Sequence, residues 1–408
     1  MDSQKFKLHF LYFLIFIFTF TGCTDGDISP HSNRHIVLRV GFVTEEKFQQ
    51  RFANLIEQEF PNYRVEIVPM KDVIRYQQSI IDWIKSKQVD LLYIPSSNYQ
   101  ELIDANILRD LELYMDRGDF LKDSVLPSVM ELDRAYGGGK VYGLPTNFYS
   151  EAIAYNQDLF ERMNIPFLTD GMTWPELFYT MQRFEKGLSV HMASPFHLLT
   201  QMGQSEQIQM MNTADQMTLN SPTWETLWKV VTDAARNGGI HFDEENQNPF
   251  ITGDRAAALI SYDEYKILEQ SKPSFKWSLV SMPTGITGQT SSIIADGYWS
   301  IPVSSNNPED AWKMIAFFMS GKVAKWGYRS DYGFSTLKQE ISLNPDDEDQ
   351  LEAFYKDHPQ IPLSLTWSSF LPDLVNNVFT KIVTNESSVE DGLQQLQQQA
   401  EIEVKRKQ

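Results

Sequence analysis

A single cysteine, Cys23, in 408 residues leaves no partner for an internal disulfide and no thiol nucleophile anywhere beyond that position. Basic residues are scarce as well. Thirty-five Lys and Arg stand against 54 Asp and Glu, a formal net charge of −19. That balance excludes the basic footprint which nucleic-acid binding needs. It suits solubility and does not identify a ligand. Catalytic signatures are missing too. The chain has no Gly-x-Ser-x-Gly and no Gly-x-Gly-x-x-Gly, and Arg134 stands where a phosphate-binding loop ending in Gly139-Lys140 needs its first glycine. His191 and His197 are six apart and lie in no His-Glu-x-x-His, so no metal ion is expected. The run Asp346-Asp347-Glu348-Asp349 lacks the alternating ligands and glycine of a calcium loop and reads as solvated. No cofactor motif is found, and no carboxylate pair is assignable to catalysis.

Long apolar runs are confined to the first residues. After Lys5 and Lys7, Phe10 to Phe20 is almost wholly apolar, and nothing of that length recurs. Residues 1–22 read as a secretory leader, short for a membrane span. Its loss would make the chain one unit more acidic, since it carries Lys5, Lys7 and Asp2. Residues 23–35 are polar, contain Gly26 and Pro30, have no apolar period, and read as a tether. The remainder exceeds one ordinary core and suggests two lobes.

What is present is α/β patterning. Ile36 to Val43 reads as a buried strand. Phe48, Phe52, Leu55, Ile56 and Phe60 make a helical stripe, Tyr63 to Val68 alternates, a helix carries Val73, Ile80, Ile81 and Ile84, and Val89 to Ile94 is a third strand. This β-α-β-α-β order predicts a parallel sheet. Ligands sit outside the carboxyl ends of such strands, where Thr44, Glu45, Ser96 and Ser97 lie. The same positions equally suit helix N-caps.

The middle of the chain is organised around residues 137–156, a glycine turn, a short polar and apolar β-run, and Asn156 before an amphipathic helix. It reads as a first crossing between lobes, softened by Gly143, with Asn147, Tyr149, Ser150 and Glu151 able to face a cleft. An ordinary edge strand after a turn is the competing reading. Residues 292–302 read as a return crossing, softened by Gly297, and alternation turns one of Tyr298 and Trp299 to the cleft. Asp296 precedes them. The segment 250–263 predicts a short capped helix running into a strand at Ala257–Ser261, followed by Tyr262 and Asp263.

Gly139-Lys140-Val141-Tyr142-Gly143-Leu144-Pro145 resembles the corresponding run of bacterial extracellular solute-binding proteins of ABC importers, the carbohydrate-binding family 1. So do Ala154-Tyr155-Asn156-Gln157-Asp158-Leu159-Phe160, Ile165-Pro166 and Thr173-Trp174-Pro175-Glu176-Leu177, in that order, and Pro308 to Phe318. The resemblance implies a type II periplasmic-binding-protein-like fold, α/β and two-lobed, with a parallel-rich sheet flanked by helices in each lobe and a hinge of several crossing segments. It divides the chain into lobe I, 36–145 plus 300–350, and lobe II, 146–299 plus 351–408. It implies that the tail from 361 crosses a third time and docks helices on lobe II, and that Tyr262 offers an aromatic ring to the cleft.

Thr21-Gly22-Cys23 resembles a bacterial lipobox, which implies a diacylglycerol on Cys23 and anchorage to the extracytoplasmic face of the cell membrane. The implied partners are a carbohydrate and the permease subunits of an ABC transporter, with the protein a monomer and not an enzyme. A sugar stacks its C–H face on an aromatic ring and takes hydrogen bonds at its rim. Tyr149, Tyr262, Trp299, Tyr298 and Trp367 are candidates for the first role; Asn147, Glu45, Glu151, Asp263, Asp296, Thr44 and Ser97 are candidates for the second. A surface carbohydrate-active enzyme, or a receptor presenting ligand to a membrane sensor, would use the same cleft. Acidic clefts with tyrosines also take cations or peptides.

Overall fold

The computed structural model describes residues 36–75, 78–117, 120, 122–190, 194–210, 212, 216–243, 248–285, 288, 293–327, 333–341, 351–356 and 370–407. Cys23, His191, Asp346–Asp349 and Trp367 therefore lie outside the described residues. In chain order the first strands are β1 Ile36–Phe42, β2 Tyr63–Pro69, β3 Leu91–Pro95, β4 Gly143–Leu144, β5 Asn147–Tyr149 and β6 Glu151–Asn156. They are followed by β7 Leu188–Val190, β8 Ile240–Phe242, β9 Ala257–Ser261, β10 Trp277–Ser281, β11 Ile294–Ala295, β12 Gly297–Ser300 and β13 Phe334–Ser335.

Lobe I is built on the sheet β2-β1-β3-β12-β4, and lobe II on β10-β6-β9-β7-β8. The first three strands of lobe I run parallel, as their helical crossovers require. β12 arrives from the other lobe and inserts antiparallel between β3 and β4. Lobe II is mixed in the same way, with β7 parallel to β8 and β9 while β6 runs against β9 and β10. A third sheet, β11-β5-β13, has β5 at its centre and antiparallel partners on both sides. It is the hinge. Its strands adjoin β4 and β6 on the outward path and β12 on the return.

Local sequence explains the elements around it. The helix Glu45–Glu59 starts where the Thr44 side chain accepts a hydrogen bond from the Lys47 amide, and it buries Phe48, Phe52, Leu55 and Ile56. The helix Trp174–Met181 starts with a reciprocal capping box between Thr173 and Glu176 and has Pro175 in its first turn. The helices Leu371–Val383 and Val389–Lys407 bury Val375, Phe379, Ile382, Leu393 and Leu396 in the lobe II core.

The third strand of the hinge sheet is Phe334–Ser335, which its pairing with β5 places beside Asn147 and Phe148; the tail crossing expected from 361 begins at residues outside the described ones. Two readings of the sequence are corrected. Residues 249–254 form a turn with Gly253 in the left-handed region rather than a short helix. The crossing glycines act by size, not softness: neither Gly143 nor Gly297 has a positive φ. A Cβ on Gly297 would stand 2.8 Å from the Ile94 carbonyl oxygen and 2.7 Å from Tyr93 Cζ. Gly297→Ala is therefore expected to push β12 off β3 and to lower stability by about 1–2 kcal/mol, read as a reduced Tm.

Candidate functional site

The period of two along residues 147–151 sorts the hinge into two sides. Phe148 and Ser150 point one way. The Phe148 ring lies 5.2 Å from that of Phe334, nearly parallel, and Ser150 Oγ donates to the Phe354 carbonyl. Tyr262 completes this apolar bridge, with its ring 3.8 Å from Phe334 and Lys266 Nζ 5.0 Å from its centroid. Asn147, Tyr149 and Glu151 point the other way and form a row that runs from lobe I to lobe II.

At the lobe I end, Arg51 reaches in from the helix Glu45–Glu59. Its Nη2 donates to Asn147 Oδ1 at 2.6 Å, and Nη1 stands 3.9 Å from Asp296 Oδ2. The Arg51 side chain is 9% exposed, and its guanidinium carbon sits 5.0 Å over the Phe52 ring. Tyr93 donates its hydroxyl to the same Asp296 oxygen. Burial, then the Asp296 charge, push the Tyr93 phenol well above its ordinary value, so it stays a neutral donor. Asn147 in turn donates to the Phe334 carbonyl at 3.4 Å, and its own carbonyl accepts from the Asp296 amide at 3.1 Å. One asparagine thus ties all three hinge strands to lobe I. A recess opens beside it, lined by Arg51, Thr146, Asn147, Ser335 and Thr336, with Phe318 and Met319 among its apolar walls.

At the lobe II end, Glu151 is the first residue of β6. Its Oε1 lies 3.4 Å from His197 Nε2, and its Oε2 accepts from Gln201 Nε2. His197 and Gln201 are four apart on the helix Pro195–Ser205, so one helix face grips both carboxylate oxygens. The hydrogen bond to Glu151 raises the His197 pKa against the opposing effect of burial. Between the two anchors Tyr149 is 40% exposed, beside Ile294, 43% exposed, its register partner on β11. A fixed carboxylate, a fixed asparagine and an aromatic surface therefore lie on one side of the segment 147–151, where β5 runs on into β6.

The structure thus brings together Asn147, Tyr149, Glu151 and Asp296 from the sequence-derived set. Of the other candidates among the described residues it brings in none. Tyr298 and Trp299 are fully buried in lobe I, because β12 lies inside its sheet with both faces covered. Thr44 caps a helix, and Glu45 is exposed in that helix's first turn. Ser97 is exposed and donates to Asn98 Oδ1 at 3.3 Å, whereas its neighbour Ser96 donates to the Ala295 carbonyl at the hinge. Tyr262 packs on Phe334, and the exposed Asp263 pairs with Lys266 at 2.8 Å. Arg51, Tyr93 and Gln201 escaped the sequence reading, and His197 entered it only as a metal candidate. Arg51 carried a legible signal: it lies three residues after Phe48 and four before Leu55, on the buried stripe. Among the described residues no cluster of three or more His, Cys, Asp or Glu is placed to hold a metal ion. No helix among them is long and apolar enough to cross a membrane.

Residues 51–362 match the family described as bacterial extracellular solute-binding protein. A binding protein of Brucella abortus (strain 2308) is 22% identical over 339 residues, covering 78% of this chain and 79% of that protein. The extracellular solute-binding protein family 1 structure from Alicyclobacillus acidocaldarius superposes with a TM-score of 0.69 at 15% identity, covering 90% of this chain and 98% of that one. The sugar-binding protein MalE of Xanthomonas citri gives 0.67 at 15% identity, over 91% and 98%. A solute-binding protein of an ABC transporter from Agrobacterium vitis, with bound D-mannitol, gives 0.55 at 17% identity, over 91% and 98%.

Proposed function

This chain belongs to the bacterial extracellular solute-binding proteins, and from that premise we propose that it captures a sugar or oligosaccharide between its lobes, unaltered, for an ABC importer. The observation that carries the proposal is the row Asn147, Tyr149, Glu151 across the hinge. The Tyr149 ring offers a stacking surface for a sugar's C–H face. Glu151, held by His197 and Gln201, offers acceptor lone pairs to hydroxyl groups without first having to be ordered. Asn147 and Asp296 are fixed by Arg51 and Tyr93 at the other end. A ligand touching both ends favours the closed arrangement over the open one. The sugar named for the Xanthomonas citri protein and the mannitol bound by the Agrobacterium vitis protein are in keeping with this class of ligand.

The rest of the proposal follows from the sequence. The leader ends before Cys23, the lipid goes on that residue, and residues 23–35 tether the domain outside the cell membrane. The lobes are 36–145 plus 297–350 and 146–296 plus 351–408, the return boundary moving from 299/300 to just before Gly297 because β12 lies in the lobe I sheet. The closed form is the one the permease subunits receive.

The test is a thermal-shift screen of the purified protein over mono- and oligosaccharides, followed by calorimetry and product analysis. One saccharide should raise Tm, since a ligand at about 100 times its Kd adds about 2.7 kcal/mol to stability. Glu151→Gln should weaken that binding by about tenfold or more through loss of a charged acceptor. A panel without any shift, or conversion of the bound sugar to product, would overturn the proposal.

A further inference from the structure

Lobe I buries an acid without supplying a counter-ion beside it. Asp133, in the helix Pro127–Tyr136, is fully buried, and neither carboxyl oxygen has a hydrogen-bond partner among the described residues. Its charge acts on three tyrosines, Tyr99, Tyr136 and Tyr298. Tyr99 and Tyr298 stack with ring centroids 3.7 Å apart and planes within 6°, and Tyr136 stands edge-on to them at 5.4 and 5.9 Å. The hydroxyls of Tyr298 and Ser300 are likewise buried without a partner among the described residues, while that of Tyr99 faces the backbone of Tyr142 and Gly143. The charged group that acts electrostatically on this acid is the guanidinium of the adjacent Arg134, and the acid in turn acts on the three phenols. That guanidinium turns away, to Glu112 Oε1 at 3.1 Å.

A carboxylate so placed would carry an uncompensated charge in an apolar interior, and a group in that position takes up a proton instead. We propose that Asp133 is carried as the neutral carboxylic acid inside this tyrosine cage, and that the cage is a proton-dependent lock on the lobe I roots of the hinge. The placement supports the second half. Tyr298 and Ser300 belong to β12, and Ser300 is the register partner of Gly143 on β4. Tyr99 lies on the helix Ser96–Asp104, whose first residue bonds to the Ala295 carbonyl of the hinge. Both crossings are thus rooted on the cage.

Burial raises the Asp133 pKa well above the ordinary carboxylate value. Its contribution to stability is therefore fully present below that ordinary value and is lost as pH rises toward the raised one. Across that window the folding equilibrium constant should fall roughly tenfold per pH unit relative to Asp133→Asn, which cannot titrate.

Infrared difference spectra of the purified protein test the protonation directly. The wild type should show a protonated-carboxyl C=O band at neutral pH that Asp133→Asn lacks; absence of the band overturns the proposal. Should the variant fail to fold, wild-type protein carrying isotope-labelled aspartate locates the same band by its shift. Urea unfolding across a pH series should show the ratio of wild-type to Asp133→Asn equilibrium constants falling with pH, and a constant ratio is a refutation. Amide exchange, corrected for its intrinsic pH dependence, should show protection of 143–144 and 297–300 falling about tenfold per pH unit within the window while β7 and β9 keep theirs. Uniform loss, or none, removes the lock.

Discussion

Trp299→Ala is expected to destabilise the protein by about 3–5 kcal/mol, a large part of the roughly 5–15 kcal/mol that holds a typical domain together. The indole is fully buried on an interior strand of lobe I. It lies 4.4 Å from Phe318, 4.9 Å from Tyr93, 5.7 Å from Phe42 and 5.7 Å from Phe52, between centroids. Those four rings come from β1, β3 and two helices, so no single element can close the cavity that its removal leaves. Urea unfolding measures the loss. Trp299→Phe separates packing from recognition. It should lose about 1–2 kcal/mol and bind the saccharide found in the thermal-shift screen with unchanged Kd. A phenylalanine variant of normal stability that had lost its ligand would return this residue to the cleft.

The same tryptophan marks a limit of what the sequence makes legible. Alternation correctly places Tyr298 and Trp299 on opposite faces of β12, and the rings do turn opposite ways, one onto Tyr99 and the other onto Phe42. Period two says nothing of which faces are wet. β12 is covered on both, since helices pack on each side of a sheet whose core strands run parallel. Patterns contained in a few turns of chain were readable: the stripe on Glu45–Glu59, the strand at Ala257–Ser261 and the crossing at 137–156. The site depends on pairs far apart in sequence. Asn147 meets Arg51 across 96 residues, and Glu151 meets His197 across 46. No local period encodes either pairing. Polar residues at strand ends misled in the other direction. Thr44, Ser97 and Asp263 satisfy their own helices, as such residues do whenever a cap or a neighbouring lysine is within reach.

Arg51→Met should cost about 2–3 kcal/mol and loosen the hinge before it loosens either lobe. Methionine keeps a flexible apolar stem against Phe52 and deletes only the guanidinium. Asn147 Oδ1 then loses a charge-assisted bond, and Asp296 loses the cation 3.9 Å away. The buried end of this pair sets the size of the effect; the 27% exposure of the Asp296 side chain moderates it, because water compensates part of the lost charge. Salt should not mimic the substitution, since the arginine is shielded from bulk ions. A cycle with Asn147→Ala isolates the tie: the two losses should fall short of additive by about 1 kcal/mol or more, as they do for residues sharing one bond. Amide exchange should then report faster opening at 147–149 and 294–297 than at β1 or β9. The saccharide's Kd should rise as well, because Asn147 and Asp296 would no longer be held at the lobe I end of the row before the ligand arrives. An Arg51→Met protein within about 0.5 kcal/mol of wild type, with additive losses and unchanged exchange at 147–149, would show that lobe I is joined to the hinge by its strands alone.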